Sequence, residues 1–124
     1  MTGIQGNTRR PDITCHPDGT IQITSRVTKM LGLKVGDVID IGIEGIECYL
    51  YIKYRAENVI GVHSSRCCST GKNSHHFRVY SVVLTDAMYK MCEADKSEPL
   101  RLYCGGLAEN NYVGKCVYII THRR

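Results

Sequence analysis

The tightest constraint on this 124-residue chain is an apolar rhythm that changes period twice within residues 13 to 52, and does so again further on. Ile13, Cys15, Ile21 and Ile23 alternate with Thr14, Thr20 and Gln22, and His16-Pro17-Asp18-Gly19 between them carries turn-forming residues, which together predict a β-hairpin. Val27, Met30 and Leu31 then follow helical spacing, with Thr24 or Ser25 as N-cap and Gly32 as the left-handed residue that ends the helix. The predicted helix has only about two turns, too few to stand without packing. Period two returns at Ile39, Ile41 and Ile43, and Glu44-Gly45 leads into another strand, Ile46 to Tyr54.

Shifting positions 21 to 46 by 61 brings ten of twelve apolar residues onto apolar residues, where a chain that is 43% hydrophobic would give about five by chance. In that frame Val82 and Leu84 repeat Ile21 and Ile23, Thr85 or Asp86 repeats the cap, Met88, Met91 and Cys92 repeat the helix face, and Leu100, Leu102 and Cys104 repeat the returning strand. After Gly106 the frame lengthens by seven, and Lys115 to Ile120 matches Glu47 to Ile52. The reading is one α+β, β-rich domain over residues 1–124, with a first repeat at 11–52, a basic connector at 53–76 and a second repeat at 77–121. Each half alone would leave a sheet face bare, so the halves are expected to interleave around one core with pseudo-twofold symmetry.

From Gly19 to Ile41 the text GTIQITSRVTKMLGLKVGDVIDI resembles the AbrB/SpoVT/MazE swapped-hairpin family without a gap, most specifically in LGLKVGD, Leu31 to Asp37. The resemblance implies a swapped-hairpin, barrel-like fold. Family members interlace two chains, and many are DNA-binding regulators or antitoxins, so this chain would be the dimer fused into one, of bacterial or phage type. Basic residues common in the family motif fall here on Thr20, Ser25 and Thr28, and its usual proline on Thr24.

DNA is therefore the expected partner. A nucleic-acid surface requires several cations acting together, because each phosphate contact releases counterions. The candidates are Arg9 and Arg10 before the first hairpin, Arg26 and Lys29 on the helix, and Lys53, Arg55, Arg66, Lys72 and Arg78. The last five stand against Glu57 alone between residues 53 and 81. The competing expectation is a non-catalytic structural or protein-interaction module of phage or mobile-element origin that keeps the barrel and lacks the DNA face.

Other chemistries find little support. Seven cysteines and an N-terminal stretch without an apolar signal core point to reduced thiols and a cytoplasmic protein, with Cys15, Cys48, Cys104 and Cys116 acting as small hydrophobes. His63, Cys67, Cys68, His75 and His76 invite a metal reading, but adjacent pairs in an extended chain point opposite ways, so no metal or other cofactor is expected. Ser69 to Ser74 lacks the first glycine of a phosphate loop, and no nucleophile or paired-carboxylate motif marks an enzyme.

Overall fold

The computed structural model places residues 10–55, 67–69 and 76–120. Eight strands and two helices follow one another as β1 (Ile13–Cys15), β2 (Thr20–Ile23), α1 (Ser25–Leu31), β3 (Val38–Glu44), β4 (Glu47–Tyr54), β5 (Cys68–Ser69), β6 (Phe77–Tyr80), α2 (Val82–Cys92), β7 (Leu100–Asn110) and β8 (Gly114–Ile120). All the strands join one curled antiparallel sheet in the order β3-β4-β8-β7-β1-β2-β6-β5. The result is a β-rich α+β half-barrel.

Alternation along the strands decides what lies inside. Ile13, Cys15, Ile21, Ile23, Phe77 and Val79 point to one face, joined by Leu50, Val117 and Ile119 from the other half of the sheet and by Val27, Leu31, Leu84, Met88 and Tyr89 from the helices. Each fully buried aliphatic side chain contributes about 1.5–3 kcal/mol. Tyr89 fits this core because its hydroxyl donates to the Glu98 carbonyl at 2.6 Å.

The two helices end alike. In α1, Gly32 takes a left-handed conformation at φ 70, and the Gly32 and Leu33 amides both donate to the Thr28 carbonyl. In α2, Glu93 takes the same conformation at φ 52, and the Glu93 and Ala94 amides donate to the Tyr89 carbonyl. Both are Schellman-type endings. They fall 61 residues apart.

Their beginnings differ. Ser81 caps α2, its hydroxyl accepting from the Leu84 amide at 3.1 Å, so neither Thr85 nor Asp86 is the cap. Val82 and Leu84 are consequently helical, and the strand that meets β2 is Phe77–Tyr80 instead. The 61-residue frame fails at the helix starts, because α2 spans 11 residues and α1 spans 7.

A second correction concerns β8. The match of Lys115–Ile120 to Glu47–Ile52 equates Cys116 with Cys48, yet Cys48 and Leu50 face the core together with Val117 and Ile119. Cys116 is buried on the opposite face. A slip of one residue inverts every side chain of a strand, and the apolar text on both sides of β8 conceals it. Strand β5 and the buried Cys67 before it also lie inside the stretch read as connector. No helix among the described residues is long and apolar enough to cross a membrane.

Candidate nucleic-acid interface

The outward face of β7, β1, β2, β6 and β5 carries the polar half of each strand's alternation. Cross-strand register sets Arg101 opposite Thr14, Thr14 opposite Gln22, Gln22 opposite Arg78, and Arg78 opposite Cys68. One row therefore crosses five strands. At about 4.8 Å per strand the row runs about 14 Å from Arg101 to Arg78. All of its members except the half-buried Thr14 are exposed. The sheet curls around the core on its other face, so this side is convex.

Beside the row, Arg10, Thr14, Gln22, His76 and Arg78 line a groove of about 470 Å³. His16 Nε2 lies 3.0 Å from Gln22 Oε1 and orients the amide. Among the described residues, Arg10, Arg78 and Arg101 have no carboxylate within ion-pair distance. Asp18, in the β1–β2 turn, has its carboxyl held below its ordinary range chiefly by the Thr20 amide, which donates to it at 2.9 Å. The face is a cationic surface with one amide and two imidazoles among its hydrogen-bonding groups.

The other expected DNA contacts are distributed differently. Arg26 reaches inward, 3.2 Å from the Asp12 carboxylate and 3.2 Å from the Cys104 carbonyl. Arg55 does the same with Asp37 at 3.1 Å and the Gly32 carbonyl at 2.8 Å. Lys53 pairs loosely with Asp40 at 3.7 Å and stands 5.7 Å from the centre of the Tyr54 ring. Lys29 is exposed on the last turn of α1. Arg9, Arg66 and Lys72 lie outside the described residues, as do His63 and His75.

Of the expected set, then, the structure brings Arg10 and Arg78 together. It adds Arg101, Gln22 and His16, which reading along the chain did not single out. The signal that marks Arg101 is its place between Leu100 and Leu102, which obliges it to face outward once the strand is known. Its neighbours on the sheet come from positions almost ninety residues away, which no local pattern reveals.

The thiols divide by face. Cys67 is fully buried and Cys68 is exposed, so the adjacent pair points to opposite sides of the strand. Among the described residues no group of three or more His, Cys, Asp or Glu is arranged to hold a metal ion. Burial pushes the thiols of Cys15, Cys48 and Cys67 up to about 12.

No family model, no curated protein and no solved structure matches the chain.

Proposed function

We propose that the chain is a DNA-binding protein of the transcriptional-regulator or antitoxin type, built as a single-chain duplicate of an AbrB/SpoVT/MazE-like swapped-hairpin dimer. The strand order supports the duplication. Exchanging β1 with β5, β2 with β6, β3 with β7 and β4 with β8 leaves two of the seven strand pairings in place and interchanges four others, with β1–β7 alone lacking a strand counterpart. The β1–β7 pairing has its counterpart in the Gly36 and Asp37 backbone, which exchanges 2.8 Å hydrogen bonds with Cys67 just before β3 and β5. β2 with β6, and β4 with β8, are the central pairs of this arrangement.

The observation that carries the DNA reading is the convex row with Arg78 and Arg101 about 14 Å apart and Gln22 between them. A major groove about 12 Å wide admits a convex two-stranded ribbon such as β2–β6, which carries Gln22 and Arg78, with Arg101 to its side placed for a phosphate. A salt titration of binding to mixed duplexes tests it. Binding at about 50 mM salt that weakens steeply as salt rises is the expected result, and no measurable binding there overturns the reading.

A second reading is a non-catalytic interaction module. It is favoured by the internal engagement of Arg26, Arg55 and Lys53 and by the exposed Tyr54, Tyr80, Val82 and Val83 around a groove of about 540 Å³. The same titration separates the two.

A further inference from the structure

We infer that the DNA site of this chain is non-palindromic, with Gln22 and Arg78 reading an adenine and a guanine on either side of its centre. The inference rests on the DNA-binding reading above and goes beyond it in naming what is recognised. In a two-chain dimer, residues related by the twofold are identical, and the half-sites must be inverted copies. A duplicated single chain is released from that identity.

The face departs from symmetry at each position of its row. Gln22 and Arg78 stand directly opposite one another on the two central strands, so exchange of the halves about an axis through this pair carries one onto the other. Thr14, opposite Gln22, goes over to Cys68, opposite Arg78. Arg101, opposite Thr14, has no counterpart beyond Cys68, where the neighbouring backbone is that of Gly36 and Asp37 before β3. One half of the row therefore ends in a cation with no carboxylate within ion-pair distance among the described residues, and the other ends at Cys68.

The central pair differs in hydrogen-bonding chemistry as well as charge. A carboxamide offers one acceptor and one donor, which complement adenine N6 and N7, whereas a guanidinium offers two donors, which complement guanine O6 and N7. His16, 3.0 Å from Gln22 Oε1, uses one lone pair of that oxygen and leaves the other and the amide N–H group facing outward. Directly opposite residues in a sheet have Cα atoms about 4.5–5.5 Å apart, and base pairs stack at about 3.4 Å, so the two contacts fall on neighbouring base pairs.

The test is selection of duplexes from a randomised pool by the full-length chain, repeated with Gln22→Arg and with Arg78→Ala. Both positions are exposed, and matching thermal unfolding of the variants confirms that they fold. The expected consensus is not self-complementary and carries an A·T pair beside a G·C pair. Gln22→Arg should convert the A·T preference to G·C, and Arg78→Ala should relax discrimination at the guanine position about tenfold or more. A self-complementary consensus, or a preference unchanged by both substitutions, overturns the inference while leaving DNA binding intact. Recovery of no duplex at all overturns the DNA-binding reading itself.

Discussion

The carboxylate of Asp12 and the guanidinium of Arg26 form an ion pair at 3.2 Å in which the acid is almost wholly buried and the base is 42% exposed. The Cys104 amide donates to the same carboxylate oxygen at 2.7 Å, and Arg26 also donates to the Cys104 carbonyl. Asp37 and Arg55 repeat the device: the acid is buried, the Lys34 amide donates to it at 2.8 Å, and the arginine reaches the Gly32 carbonyl. Each pair fastens a helix end to a distant strand. This use commits Arg26 and Arg55, though both stay partly exposed, to buried acids and leaves Arg10, Arg78 and Arg101 as the cations of the candidate interface.

Arg26→Ala and Arg55→Ala should each destabilise the fold. Removing one partner of a fully buried pair costs roughly 3–5 kcal/mol, but water partly replaces an arginine this exposed, so about 1–2 kcal/mol is expected here. Urea denaturation should show a lower midpoint with an unchanged slope. A midpoint equal to that of the wild type would show the pairs to be ordinary surface contacts.

Gly42→Ala should be costly for a steric reason. A Cβ at Gly42 would stand 2.5 Å from ring atoms of Tyr49, its direct cross-strand partner, and that ring is packed edge-on against Tyr118 with centroids 5.6 Å apart. The expected loss is about 1–3 kcal/mol. Combining it with Tyr49→Leu should recover part of the loss, and the two Tm shifts should not add.

Glu93→Gly should stabilise. Glu93 holds φ 52, a left-handed position that costs a residue with a Cβ about 1 kcal/mol and costs glycine little. Thermal unfolding should move upward, and Gly32→Ala at the equivalent end of α1 should move it downward.

Stability should fall in alkaline solution. Burial raises Cys15, Cys48 and Cys67 from the ordinary 9.0 to about 12, so the folded state holds protons that the unfolded chain releases. Their contribution is complete below about pH 9 and is lost as pH rises through the folded values. Denaturation midpoints at pH 7.5 and 10.5 should differ in that direction. In native conditions near pH 8, Cys68 should react first with a thiol reagent among the described cysteines, being the exposed one.

Much of the first half was legible in the text, because its signals are local: the His16–Gly19 turn, the Gly32 helix end, and the alternation of Ile39 and Ile41 all act within a few residues. The second half was harder. Val82 and Val83 are β-branched and read as strand, yet Ser81 caps a helix there, and the true strand Phe77–Tyr80 is only four residues long. β5 is two residues long and exists through its pairing with β6 and the Cys67 contacts, a tertiary effect with no sequence rhythm. The site shows the same limit. Arg10 and Arg78 were visible as charges, but Arg101 joins them only through cross-strand register, and the inward turn of Arg26 depends on the burial of Asp12.

The central claim, DNA binding by the convex face, is tested most directly by the salt dependence of binding for two triple variants measured beside the wild type. Arg10, Arg78 and Arg101 changed to Ala should reduce affinity at least tenfold and flatten the slope of log Kobs against log salt by about 0.9 for each phosphate contact removed. Lys29, Lys90 and Lys96 changed to Ala, on α1, on α2 and after it, should leave most of the affinity in place. Equal losses from the two triples, or an unchanged slope for the arginine variant, would contradict the account.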